Sequence, residues 1–527
     1  MPKHTNGSSG KGERVVVIGA GVGGLTTAAL LLHAGFDVTV LEAHVYPGGS
    51  AGTFYHKRYR FDAGATLAGG FSPGGPHYRL AQILGLEWPT HPVDPAWVVH
   101  LPDRTVSQWG DRAAWAAERR EAFPGAEQFW QTQEMLAEVA WDISSRPFPW
   151  PPASVRDLLQ LAVAVRPRTL RALPYLRKEV AAIAPDHRPR LKTFLDAQLL
   201  IAAQTTADGA NALYGSAALD LPRRGVSHVR GGIGAIARTL ADWIVANGGS
   251  VLYRQQVEAI EVREGRVAAV RTNKKLTLAC DWLIANLTPW GLHELLGEDT
   301  PPGLAREVHE RDVTWGAFTL YLGLDAARLP PLPTSHHQVV VDPRQPFGEG
   351  NSVFISLSDP SDNKRAPAGR RAATLSTHTE IGPWWALREA EDETAYLSRR
   401  DAYTKKMLAA AERAIPGLGD AAELVLPGTP VTFAFYTRRP QGMVGGFPQR
   451  SLFDVRGPHT GIANLKLVGD SIFPGQSTAG VTLGGMRVAA DVIYAARPSL
   501  FSLFSYPFRR ADTGAKTGSL SEPASSD

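Results

Sequence analysis

Cysteine is almost absent from this chain: one thiol, Cys280, occurs in 527 residues. A single thiol excludes an intramolecular disulfide and any cysteine-rich zinc or iron–sulfur centre, and it fits a reducing, cytoplasmic setting. Cys280 lies in the apolar-rich stretch Leu276 to Ile284, where an inert buried thiol is expected. An excess of one charge sign is lacking as well. The 55 Lys+Arg against 51 Asp+Glu leave a formal +4, too slight for a nucleic-acid footprint, so no nucleic-acid partner is expected. No stretch reaches the roughly 18 uninterrupted apolar residues of a membrane-spanning helix. The first dozen residues are polar and lack the apolar segment of a secretory signal, and no internal repeat is present. With 44% hydrophobic residues the chain has apolar material for more than one core, and its length predicts roughly two or three domains.

What is present begins at Arg14. Arg14 to Ile18 reads as a strand, Gly19 to Gly24 as a glycine turn, Leu25 to Ala34 as a helix and Asp37 to Leu41 as a second strand. The turn matches GxGxxG through Gly19, Gly21 and Gly24. The first glycine permits the tight turn, the second lets backbone N–H groups approach a pyrophosphate, and the third lets helix and strand pack closely. The helix starting near Gly23 then offers its positive end to the anion. Eighteen residues beyond Gly24, Glu42 ends the second strand, where a carboxylate accepts hydrogen bonds from ribose hydroxyls and repels a 2′-phosphate.

A second glycine cluster follows in Pro47-Gly-Gly-Ser-Ala-Gly-Thr53, then Tyr59-Arg-Phe-Asp-Ala-Gly-Ala-Thr66. Far along the chain, Leu465-Lys-Leu-Val-Gly-Asp470 reads as a strand ending in Gly-Asp, and Ser477 to Met486 opens a helix. Together these motifs resemble the FAD-dependent amine oxidase and phytoene desaturase superfamily. The resemblance implies an α/β fold with a Rossmann-type FAD-binding domain of the glutathione reductase and amine oxidase kind, a sheet-containing substrate domain and an inserted helical, membrane-facing subdomain. It implies FAD held non-covalently by Gly19, Gly21, Gly23, Gly24, Glu42, Gly49, Ser50, Thr66, Val257, Gly469, Asp470, Gly480 and Val481. Ser50 stands where the family typically carries arginine, so a serine hydroxyl would have to serve there. The implied partition is a flexible 1–12, FAD-binding segments 13–124, 205–300 and 456–498, a helical subdomain 125–204, a substrate domain 301–455 and a mostly disordered tail 499–527.

Within the superfamily the chain is similar to bacterial carotenoid desaturases and isomerases, through Phe61 to His77 and Gly428 to Gly446. The 3,4-desaturase branch is nearest in these motifs. This resemblance implies a carotenoid substrate, a 3,4 (3′,4′) desaturation of an acyclic and 1-hydroxylated end, and hydride transfer to flavin. Isomerisation, ketolation and a flavin-free prenyl-lipid carrier stand as alternatives. His77 is a candidate base by its motif neighbourhood, against the ordinary reading of a turn histidine. Arg438 and Arg439 either orient a polar substrate end or pair with acids. Between Arg146 and Lys192, ten basic residues face three acids among leucines, valines and tryptophan. That make-up predicts peripheral contact with an anionic membrane surface, against the alternative of a solvated basic face. Helices are expected over Val155 to Val165, Leu170 to Ile183 and Glu389 to Ala414, and strands over Thr314 to Gly323 and Ser352 to Ser358.

Overall fold

The apolar run Val15 to Ile18 is buried along its whole length, as a central parallel strand demands. In the computed structural model this strand, β1 (Arg14–Ile18), leads through the glycine turn into helix α1 (Val22–His33) and strand β2 (Asp37–Glu42). The structure describes residues 12–497, except positions 145, 147, 149, 154, 186, 187, 313 and 314 and the side chain at 156. The expected flexible ends at 1–12 and 499–527 therefore lie, Gly12 apart, outside the described residues.

Five parallel strands form the nucleotide sheet in the order Ser250–Tyr253, β2, β1, Trp282–Ala285 and Leu465–Leu467. Helix α1 packs against Ala235–Ala246 and Ser477–Ala496, and all three share the sheet's core. Each fully buried Leu, Ile or Val there contributes about 1.5–3 kcal/mol, so the sheet is anchored by its own composition. Cys280 belongs to this core, and burial pushes its thiol up to about 12, as an inert group requires.

The second sheet has seven strands in the order Ala422–Gly428, Gly316–Asp325, Arg370–Thr379, Ser352–Leu357, His336–Val340, Trp97–His100 and Thr105–Gln108. Its two faces differ in chemistry. Phe318, Leu320, Ile355 and Leu375 pack against the helices Gly382–Glu389 and Glu393–Glu412 through Trp384 and Met407. Thr319, Ser376 and Phe354 sit opposite one another across the strands on the other face, and His378 lies opposite Ala317. Period-two alternation thus puts a polar face toward the nucleotide domain.

Several elements differ from expectation. The strands Trp97–His100 and Thr105–Gln108 fall within 13–124 yet extend the second sheet, because His336–Val340 offers a parallel edge that sequence separation hides. The helix Ala212–Leu219, within 205–300, packs with Glu127–Ser144 in the helical unit, through Leu136 and Leu213. Leu170 to Ile183 is not an α-helix: 3₁₀ segments Pro167–Tyr175 and Ala181–Ile183 replace it, with Pro174 inside the first lacking the N–H an α-helix needs. The Glu389 to Ala414 helix is broken before Glu393, where Asp392 accepts a hydrogen bond from the Ala395 N–H and starts a new helix. Position 314 lies outside the described residues, and that strand runs over Gly316–Asp325.

Candidate functional site

The glycine turn is held by backbone geometry and by one side chain from a distant strand. Gly19 has φ +89°, a conformation that favours glycine, and its N–H donates to the Leu41 carbonyl at 2.8 Å. Asn286 follows the parallel strand Trp282–Ala285, at the strand end where ligands of such sheets gather. A Cβ on Gly21 would come 2.4 Å from Asn286 Nδ2, and a Cβ on Gly24 would come 2.6 Å from the Gly19 carbonyl oxygen. Gly24 therefore excludes a side chain, because the atom it would meet is backbone, whereas a side chain at Gly21 would have to displace the end of Asn286.

A cavity of about 1080 Å³ runs from this turn to the polar face of the second sheet and on into the helical unit. Gly19, Gly21, Gly23, Glu42, Gly49 and Ser50 line it from the N-terminal part of the chain. Thr66, Val257, Gly469, Asp470, Gly480 and Val481 line it from further along. Gly24 does not; it is packed under the turn, where it closes helix against strand. Glu42 accepts hydrogen bonds from the N–H groups of Ala20 and His44, both at 2.7 Å, which fixes its carboxylate at the cavity wall.

His77 does not reach the cavity. Its ring is fully buried, stacked on Phe71 at 4.5 Å and set edge-on to Trp88, and burial lowers its pKa to about 3. The apolar setting of the helix Pro76–Leu84 turns the ring into the core, so its candidacy as a base fails on access. Arg438 lines the cavity, in the left-handed conformation that ends the helix Pro430–Thr437. Arg439 resolves the question left by the sequence: it pairs with an acid, Asp470, at 2.9 Å.

Four cavity-lining residues were invisible in the motifs: Asn286, Gln204, His378 and Gln476. The strand end preceding Asn286 and the Thr, Ser and His alternation at 374, 376 and 378 are the signals that could have found two of them. Gln204 and Gln476 have no comparable signal. Gln204 Oε1, Gln476 Nε2 and Thr478 Oγ1 are buried without a hydrogen-bond partner. Burial pushes the His378 imidazole down to about 4, so the ring is neutral at pH 7.

This donor set fits a flavin dinucleotide. The N-terminus of α1 has no side-chain cap and no acid in its first turn, as a pyrophosphate needs. The first residues of Ser477–Ala496 turn a second helix start to the same cavity, near unpartnered amides suited to a heterocycle edge. Glu42 stands where ribose hydroxyls would donate.

A parallel nucleotide sheet, a two-faced second sheet and one cavity shared between them define an FAD-dependent oxidoreductase. The chain belongs to the flavin-containing amine oxidoreductase family, whose model matches residues 22–493. Its cofactor is FAD. Among curated proteins it is similar to the chloroplastic prolycopene isomerase of Arabidopsis thaliana, 29% identical over 90% of this chain and 82% of that protein. It is also similar to the neurosporene-forming phytoene desaturase of Cereibacter sphaeroides, 25% identical over 91% of this chain and 94% of that protein. Among solved structures, an oxidoreductase from Methanosarcina mazei shares the fold, with a TM-score of 0.61 at 18% identity over 90% of this chain and 99% of that one.

Proposed function

We propose that this chain oxidises a carotenoid, introducing a 3,4 (3′,4′) double bond into an acyclic end that carries a 1-hydroxyl. The observation that carries the reading is the mixed lining of one cavity: a dinucleotide cradle at one end and aliphatic walls such as Ile143, Leu161, Leu173 and Leu213 at the other. A long polyene fits such a channel, and FAD supplies the hydride acceptor. The protein's own work is then to hold the chain against the ring position, to exclude water and to take up one proton. Gly19, Gly21 and Gly23 of the turn, Glu42, Val257 and Asp470 are the residues we assign to FAD.

Substrate delivery follows from the surface around the channel mouth. Leu158, Leu159, Val163, Leu170 and Leu173 are more than half exposed, beside exposed Arg166, Arg168, Arg171, Arg177 and Lys178. The same segment lines the cavity through Leu161, Val165, Ala172 and Leu176. This helical unit rests on the anionic cytoplasmic face of the cell membrane in our reading, so an insoluble pigment passes from bilayer to channel without crossing water. Among the described residues no helix is long and apolar enough to cross a membrane.

Cis-to-trans isomerisation is the second reading, favoured by the similarity to prolycopene isomerase. Expression in hosts accumulating lycopene or its 1-hydroxy derivatives separates the two. Loss of two hydrogens with longer-wavelength absorption supports desaturation; a changed spectrum at constant mass supports isomerisation and removes the first reading.

A further inference from the structure

Among the described residues lining the cavity, few groups are free to accept a proton. Glu42 is engaged by two backbone N–H groups and lies, with His44, at the nucleotide end. Asp470 is held by Arg439, and Glu294 is exposed. The Tyr214 hydroxyl donates to the Pro474 carbonyl oxygen at 3.1 Å. His378 differs from all of these. It projects from the polar face of the substrate sheet, with its ring set edge-on to Trp315 at 5.9 Å. Its Nε2 lies 3.4 Å from the Gln204 amide nitrogen. Gln204 ends the helix Pro189–Ala203 in a left-handed conformation and is only 5% exposed, with Oε1 unpartnered. Gly445 brings the next amide close: a Cβ there would lie 2.7 Å from Gln204 Nε2 and 3.1 Å from Gln476 Nε2. Gln476 immediately precedes the helix Ser477–Ala496, whose start faces the cavity. Two buried amides thus lie between the start of that helix and an imidazole whose Nε2 has only the long contact with the Gln204 amide; Gln476 Nε2 has no partner.

We propose that His378 is the catalytic proton acceptor of this cavity, with Gln204 and Gln476 as positioning residues. The proposal rests on the desaturase reading. In the step, the C–H bond beside the allylic cation breaks, its electron pair becomes the π bond of the new alkene, and the proton bonds to the Nε2 lone pair of the neutral imidazole in place of the long Gln204 N–H contact. FAD, when bound, would supply the two-electron oxidant that accepts the first hydrogen as hydride, so the two hydrogens would leave the substrate carrying two electrons between them. A hydrogen next to a carbocation is far more acidic than an imidazolium, so a weak base suffices. A neutral base also avoids repulsion with the cation. Burial alone depresses the ring's basicity. Of the charged groups packed nearby, Arg439 and Asp470 neutralise each other, and the Glu349 carboxylate is turned to Thr379, Tyr403 and the Glu380 N–H.

The test uses the flavin-loaded protein and a carotenoid that it converts with loss of two hydrogens. His378→Gln keeps an amide beside Gln204, and His378→Ala leaves space for added imidazole. Flavin content should match the wild type in both, while desaturation slows about a hundredfold. Imidazole should restore part of the His378→Ala rate, and trapping of the cation by water should give a by-product heavier than the substrate by one oxygen. Desaturation within threefold of wild type in either variant overturns the proposal, and so does loss of flavin from both, which assigns His378 to the cofactor site instead. A wild-type protein that leaves the substrate mass unchanged defeats the desaturase reading itself, and this proposal with it.

Discussion

Nη1 of Arg439 lies 2.9 Å from each carboxylate oxygen of Asp470. The remaining guanidinium nitrogens donate to the Met443 and Gly445 carbonyls, so one side chain ties the loop after Pro430–Thr437 to the Gly-Asp end of the nucleotide sheet. Removing it leaves a largely buried carboxylate unpaired, at about 3 kcal/mol. Arg439→Ala should therefore lower the melting temperature and shed flavin on gel filtration, with Arg439→Lys intermediate. Full flavin retention by Arg439→Ala would count against the coupling of the two domains through this pair.

The glycines of the turn should separate by phenotype. A Cβ at Gly24 meets fixed backbone, whereas one at Gly21 meets the end of Asn286, which can move. Gly24→Ala is expected to cost about 1–3 kcal/mol in urea unfolding of the flavin-free protein. Gly21→Ala should leave that stability closer to wild type and weaken flavin binding at least tenfold by titration. The reverse order would contradict the roles assigned.

Four histidines, His77, His336, His337 and His378, predict acid lability. Burial lowers His77 and His336 to about 3 and His337 and His378 to about 4, from an ordinary 6.5. Below pH 6.5 the unfolded chain takes up protons that the folded chain refuses, so stability is complete above that pH and falls as pH drops toward 4. Each histidine contributes a slope of about 1.4 kcal/mol per pH unit. His77 Nε2 has no partner and Nδ1 has only a long 3.4 Å contact with Thr482 Oγ1, so His77→Phe should change stability at pH 7.5 by about 1 kcal/mol and make the decline at pH 5 shallower. An unchanged slope would place the acid sensitivity elsewhere.

The channel mouth predicts lipid binding with both charge and apolar terms. Co-sedimentation with phosphatidylcholine vesicles containing phosphatidylglycerol should exceed that with phosphatidylcholine alone and weaken with salt. Leu159→Asp with Val163→Asp should lower it several-fold while flavin content stays constant, because both side chains are exposed and neither lines the cavity. Equal binding to neutral vesicles, or by the double variant, would remove the membrane assignment.

Much of the nucleotide half was legible in the chain. β1, its glycine turn and β2 occupy almost the expected residues, because a βαβ unit is specified by neighbours in sequence. Local rules also misled: Leu170 to Ile183 carries helical spacing, but proline overrode it. His77 stands in a motif-rich run, yet the run's own aromatics enclose it.

The sequence by itself determined the dinucleotide turn, its acidic partner Glu42 and the Gly-Asp strand end, since each depends on residue types at short fixed spacing. Only the tertiary structure decided which polar groups meet across the cavity. Gln204, His378 and Gln476 come from a helix end, a sheet strand and a loop far apart in the chain, and no local pattern encodes their convergence. Packing of the two-faced sheet over the nucleotide domain brings them together, because one face must bury its leucines and the other is left to face the cavity.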